Sequence, residues 1–304
     1  MTTTLETPET TRSRPIHLGR TATEWAVIEA EEHNEQYTGQ TPFGLDGLEF
    51  TIEHALWYED YCFKKGRRRD RGHRTKKFLQ LVDLASLEGK RVLDIGCGIG
   101  QYSVLCAKAG AHVTGVELSS VGVETARKMA EANGVADRCT FVNGDVTEQS
   151  FDDDSFDVVL MHEVLHHAIK YPGLKDLILR IAAPGAKIVI ADTVQGAWPI
   201  HFGRKVVKFC RYFGQPEKRR QEEDLGDVLF TTKTYETFAE GFRKSEIHRM
   251  SFFFMVKQTA LQWHTDRWYV RALLRAAHGL DRVLLTLVPP LKSGCGEAIL
   301  YLER

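Results

Sequence analysis

Two stretches of this chain carry residue types at spacings that chemistry can use. The first is Val92-Leu93-Asp94-Ile95-Gly96-Cys97-Gly98-Ile99-Gly100, an apolar run closing in three alternate glycines with an acid just ahead of them. Glycines between a strand and a helix let the backbone turn sharply and bring bare amides to a ligand at the helix N-terminus. The dinucleotide-binding fingerprint places its third glycine where this chain has Gln101, so that reading fails. Two later acids, Glu117 and Asp145, each close an apolar run and offer carboxylate acceptors. The second stretch is His162-Glu163-Val164-Leu165-His166-His167. His-Glu-x-x-His is the pattern of zinc hydrolases, in which one helical face presents the two histidines to the metal and the glutamate acts as base. Here they follow directly on a strand, which puts His162 in the strand-to-helix turn, and no third ligand lies nearby; no metal is expected. Histidine also titrates near neutrality and can take a proton from a reacting group.

These residues need a scaffold, and the hydrophobic rhythm supplies one. Strands are predicted at Arg91–Ile95, His112–Glu117, Cys139–Asn143, Phe156–Met161 and, after the Pro184-Gly185 turn, Ala186–Ala191. Helices are predicted at Gln101–Ala109, capped by Gly110, and from Ser119 to the Asn133-Gly134 stop. Strands alternating with helices imply an α/β fold with a doubly wound, mostly parallel sheet. Later expectations are a helix at Lys233–Phe242, a strand at Glu246–Phe254, a helical stretch at Val256–Val288 and a final edge strand at Glu297–Leu302. The domain reading is a disordered tail at 1–20, an aromatic-rich helical lid at 21–80 and a catalytic domain at 81–304. Within that domain, 194–230 reads as an insertion over the acceptor site and 256–290 as a helical elaboration.

The acid-x-Gly-x-Gly-x-Gly pattern resembles the first motif of class I S-adenosylmethionine-dependent methyltransferases of the small-molecule type, and the likeness runs from Arg91 to Thr193. It implies a Rossmann-like core and S-adenosylmethionine as cofactor. In that family the glycine loop passes under the cofactor and the acid helps hold its methionyl end, roles that fall here to Gly96, Cys97, Gly98, Gly100 and Asp94. Glu117 matches the acid that accepts from both ribose hydroxyls. Asp145 matches the acid facing the adenine amino group, with Leu118 and Val146 to pack the ring, and Met161 joins this set at the end of the fourth strand. The family's Phe-Asp-x-Val ahead of Val-Leu-His-His is matched by Phe156-Asp157-Val158-Val159 and Val164-Leu165-His166-His167.

A sulfonium methyl is already activated, so the work expected of such an enzyme is alignment, which can supply about 7–11 kcal/mol, and proton removal from the acceptor. The resemblance puts His162, Glu163 and His166 at the mouth as candidates for that second task; His167 is expected to be a buried structural histidine. The cofactor motifs leave the acceptor atom open. A rival reading, RNA methylation, rests on nine Lys or Arg between Lys64 and Lys77. A net charge of −1 and the lack of any RNA-binding module disfavour a nucleic-acid partner, leaving a small-molecule acceptor. Six scattered cysteines, a polar start and no long apolar run predict a cytoplasmic protein without a membrane span. Oligomeric state is not encoded in any pattern seen here.

Overall fold

A computed structural model describes residues 21–38, 49–52, 55, 72–169, 171–194, 232–253 and 268–304. The expected tail, residues 56–71 with most of the basic run, and the insertion beyond Val194 lie outside these. Helix α1 (Ala22–Tyr37) opens with a reciprocal cap, in which Thr21 Oγ1 accepts from the Glu24 amide and the Glu24 carboxylate accepts from the Thr21 amide. Helix α2 (Gly72–Val82) follows, with Phe78 and Val82 fully enclosed. Then come β1 (Arg91–Ile95), α3 (Gln101–Lys108), β2 (His112–Glu117), α4 (Ser120–Ala132), β3 (Cys139–Asn143) and β4 (Phe156–His162). The remaining elements are α5 (Leu165–Ala168), α6 (Leu174–Ile181), β5 (Ala182–Thr193), α7 (Thr232–Ala239), β6 (Lys244–Met250), α8 (Trp268–Leu287) and β7 (Glu297–Glu303).

The seven strands form one sheet in the order β3-β2-β1-β4-β5-β7-β6, parallel from β3 through β5, with β7 antiparallel to both of its neighbours. Period-two alternation divides the core between the two faces. Val92, Val113, Val158, Leu160 and Val189 pack with Val104, Leu105, Val123, Ala126 and Met129 of α3 and α4, together with Phe78 and Val82 of α2. Leu93, Ile95, Val159, Met161, Ile188 and Ile190 face the other way, onto Leu165 of α5, Ile178 and Ile181 of α6, and Tyr235 and Phe238 of α7. Trp25 of α1 joins this second layer.

The first three predicted strands are found with the predicted limits, Ser119 caps α4, and Gly110 follows the end of α3 at φ 93°. Other expectations need correction. β5 starts at Ala182, because the Pro184-Gly185 turn is absorbed as a bulge: the register shifts between Phe156 and Val158, Gly185 takes φ 81°, and its amide donates to Arg304 O. β4 extends to His162, and α7 stops at Ala239. β6 covers Lys244–Met250 instead of Glu246–Phe254, ending where Ser251 enters the left-handed region at φ 66° and its hydroxyl donates to Glu297. Of the helical stretch expected from Val256, the described part is α8, which ends ahead of Pro289-Pro290, a pair that cannot continue it.

The largest correction concerns Glu297–Leu302. It is no edge strand: β7 lies between β5 and β6, and Leu300 pairs with Ile190 on one side and Ile247 on the other. Its residues Glu297 to Leu302 are all buried. Leu300→Ala should therefore lower the unfolding free energy by about 2–5 kcal/mol in a urea titration. A change within about 0.5 kcal/mol, the size typical of surface positions, would contradict the interior placement.

Candidate functional site

The glycine loop is fastened to β2 by its backbone. The amides of Gly96 and Cys97 both donate to Val116 O, at 2.8 and 3.1 Å. Gly96 and Gly98 sit at φ 66° and 54°, where a side chain strains the backbone. Space excludes one as well: a Cβ on Gly96 would collide with Val164 Cγ2, and one on Gly98 would stand 2.9 Å from the Tyr37 hydroxyl. Gly100 serves as the N-cap of α3. The Cys97 thiol is buried, and burial pushes its pKa well up, so it behaves as a packing residue.

The three acids meet on the same edge of the sheet. Glu117 ends β2 and is buried; its Oε2 accepts from the Gly98 amide at 3.0 Å and its Oε1 from the Ser119 amide at 2.9 Å. Asp94, one strand over, accepts from Ser103 Oγ at 2.6 Å. Burial pushes its carboxyl up to about 7; the Ser103 hydrogen bond opposes this and the Glu117 charge adds to it. Asp145 follows β3 and accepts at Oδ1 from the Thr147 amide and hydroxyl, both at 2.8 Å. Asn143 Nδ2 donates to the carbonyls of Glu117 and Leu118, which locks β2 to β3 beside a half-buried Leu118 and a buried Val146. This edge offers carboxylate acceptors to hydroxyl and amino groups, and its charge suits a cationic ligand. Met161, paired in register with Ile95 just ahead of the glycine loop, is fully enclosed in the same apolar layer as Leu165 and Ile178.

One side of α1 closes over this edge through residues that motif reading does not single out. Asn34 Oδ1 accepts from Ser119 Oγ at 2.7 Å and from the Val121 amide at 3.3 Å. His33 Nδ1 lies 3.9 Å from Glu117 Oε1, and its ring stacks on Tyr37 and meets His167 edge-on. Glu29, also buried, accepts from the Tyr171 hydroxyl at 2.6 Å and stands 3.3 Å from His167 Nδ1. Burial, with Glu29 beside it, pushes the Tyr171 hydroxyl pKa up. The available signal was the i, i+4, i+8 spacing of Glu29, His33 and Tyr37, which places three polar or amphipathic side chains on one helical face.

The histidine–glutamate motif is split by the backbone. His162 is the last residue of β4, Glu163 is left-handed at φ 59°, and His166 sits in α5, so no single helical face carries the three. The His162 ring packs against Phe78 and Tyr102, with Nε2 3.1 Å from the Tyr102 hydroxyl. Glu163 pairs with the fully buried Arg74 and accepts from Thr193 Oγ1 at 3.1 and 3.2 Å. His166 Nδ1 stands 2.6 Å from Oδ1 of Asp192, a fully buried carboxylate whose Oδ2 accepts from the His166 amide. Neither Arg74 nor Asp192 was singled out by sequence, since Arg74 is embedded in a basic run and Asp192 closes an apolar strand.

Residues 86–243, more than half of the chain, match the methyltransferase domain family, and the chain belongs to it. A tocopherol O-methyltransferase of Arabidopsis thaliana is 40% identical over 103 residues, 33% of this chain and 29% of that protein. Norajmaline N-methyltransferase of Rauvolfia serpentina is 36% identical over 115 residues, 38% of this chain and 39% of that protein. The matched stretch thus spans about a third of the length of these curated relatives. Among solved structures, geranyl diphosphate C-methyltransferase from Streptomyces coelicolor A3(2) shares the fold with a TM-score of 0.55 at 14% identity, covering 93% of this chain and 100% of that one. Haemonchus contortus phosphoethanolamine N-methyltransferase 2 does so with a TM-score of 0.51 at 20% identity, covering 75% and 52%.

Two stability measurements probe this geometry. Gly96→Ala should lose about 1–2 kcal/mol from left-handed strain and a further amount, about 1–3 kcal/mol, from the clash with Val164. Adding Val164→Ala should recover only the second part. For Asp94, the folded value of about 7 lies above the ordinary 3.8, so the folded chain holds this proton more tightly than the unfolded one. Its contribution to stability is therefore full at low pH and is lost as pH rises from about 4 to about 7. The urea midpoint of Asp94→Asn should lack that decline; parallel profiles would refute it.

Proposed function

We propose that the chain binds S-adenosylmethionine along the edge formed by Asp94, Glu117 and Asp145 and transfers its methyl group to a small-molecule acceptor. The observation that carries this reading is the buried Glu117 carboxylate at the tip of β2, bonded to the Gly98 amide of the loop after β1. The residues fit the group: Glu117 would hold the ribose hydroxyls, and Asp145 with Leu118 and Val146 would hold the adenine. The loop Gly96–Gly100 and Asp94 would receive the methionyl end, while Met161 would act from the core as support. When bound, the cofactor supplies an activated methyl group. The protein's own share is to orient, to exclude water and to take a proton from the acceptor.

For the last task His166 is the residue we favour among His162, Glu163 and His166. Asp192 beside Nδ1 favours a proton on that nitrogen, which leaves Nε2 as the proton acceptor and stabilises the imidazolium once it forms. Glu163 instead faces the Arg74 cation and the Thr193 hydroxyl, and His162 faces the Tyr102 hydroxyl, whereas His166 has the Asp192 carboxylate behind its imidazole. Helix α1 serves as the lid over the cofactor edge, through His33, Asn34 and Tyr37.

Calorimetry should register S-adenosylmethionine binding by the wild type and its loss in Glu117→Ala. With methyl-labelled cofactor and a fractionated metabolite extract as the acceptor pool, His166→Ala should slow S-adenosylhomocysteine formation by about 10²–10⁴-fold while retaining cofactor affinity. Asp192→Asn should slow it in the same direction. Equal loss of turnover and affinity in His166→Ala would assign that residue to cofactor binding or folding instead.

A further inference from the structure

Helix α8 has three faces of different character. Ala277, Asp281 and Leu285 turn inward and are buried, and Asp281 Oδ1 accepts from the Phe253 amide at 3.1 Å. A second face carries Tyr269, Leu273, Ala276, Leu280, Val283 and Leu287, which recur in alternating steps of four and three and so form one stripe. This stripe faces solvent: Leu280 is 48% exposed, Val283 53% and Leu287 73%, with Trp268 at 79% beside its N-terminal end. Helical spacing aligns Arg275 and Arg282 on a third face, and both are exposed. The only acid within α8 is the inward Asp281, so its solvent-facing surface combines a long apolar stripe with guanidinium charge and no carboxylate.

We propose that α8 is a docking surface for an anionic lipid bilayer. The apolar stripe enters the boundary between headgroups and acyl chains, with Trp268 and Tyr269 at the level their amphipathic rings prefer. Arg275 and Arg282 reach the lipid phosphates on long apolar stems. The helix lies along the surface, since no helix among the described residues is long and apolar enough to cross a membrane. Charge selects lipid over a second copy of this chain. Paired helices draw register from opposite charges on the flanks of their seam. The positions beside the stripe, Ala272, Gly279 and Thr286, are uncharged and offer no such pairing. This inference does not depend on the methyl-transfer reading.

The test is flotation of the full chain with vesicles of equal parts phosphatidylcholine and phosphatidylglycerol, against vesicles of phosphatidylcholine alone. The wild type should float with the anionic vesicles and largely remain behind with the neutral ones. Arg275→Glu/Arg282→Glu should weaken binding by about fivefold or more for each arginine removed. Leu280→Asp/Leu287→Asp should abolish it. Leu287→Asp alone, at the most exposed leucine of the stripe, covers the case in which the double variant fails to fold, as read by circular dichroism. Absence of binding to either vesicle, or equal binding to both, overturns the proposal. So does a wild-type dimer in sedimentation equilibrium that Leu287→Asp dissolves while vesicle binding persists.

Discussion

The carboxylate of Glu117 organises the edge on which everything else depends. Its two oxygens take the amides of Gly98 and Ser119, so one side chain joins the loop after β1 to the N-terminus of α4. A buried carboxylate needs such partners, and amides at a helix start are well matched to it. The neighbouring Asp94 is enclosed beside Ser103, and burial pushes its carboxyl up to about 7. Burial raises the proton affinity there against the Ser103 hydrogen bonds, and the Glu117 charge adds to it.

A second constraint shapes the mouth of the sheet. Glu163 adopts a left-handed backbone that costs about 1 kcal/mol or more in a residue of its type. Its amide bond to Ala191 O, the buried Arg74 and the Thr193 hydroxyl hold it there. The kink sends the flanking histidines to different neighbours, His162 to Phe78 and Tyr102, and His166 to Asp192. Arg74 comes from the helix that precedes the sheet in sequence, so the mouth is assembled from both ends of the described core.

The parallel half of the sheet was legible because its information is local. Each strand from β1 to β3 is a short run bounded by a glycine, an acid or a polar cap, and burial on both faces of β1 and β2 makes those two visible in one dimension. The glycine loop and the acids Asp94, Glu117 and Asp145 were legible for the same reason, since each follows its strand directly. Strand partnership is not local, and nothing within Glu297–Leu302 states that it pairs on both sides. The bulge at Pro184-Gly185 looked like a boundary because turn residues read alike whether a strand ends or merely bends. Arg74 was hidden by its neighbours: among so many exposed charges, composition cannot mark the one that faces inward. His33 and Asn34 of α1 gain their meaning only from Glu117 and Ser119, far away in sequence.

The position of β7 has a consequence for biosynthesis. The strand that fills the gap between β5 and β6 is the last of the described strands to leave the ribosome. Until residues 297–303 emerge, β5 has an open hydrogen-bonding side and β6 has no partner at all, the condition in which nascent chains are prone to pair with one another. The parallel strands can assemble during translation, but sheet closure waits for residues 297–303. Slow elongation through this region, or a chaperone holding β5 and β6 apart from other chains, would therefore govern the yield of native protein more strongly than the speed at which the glycine loop forms.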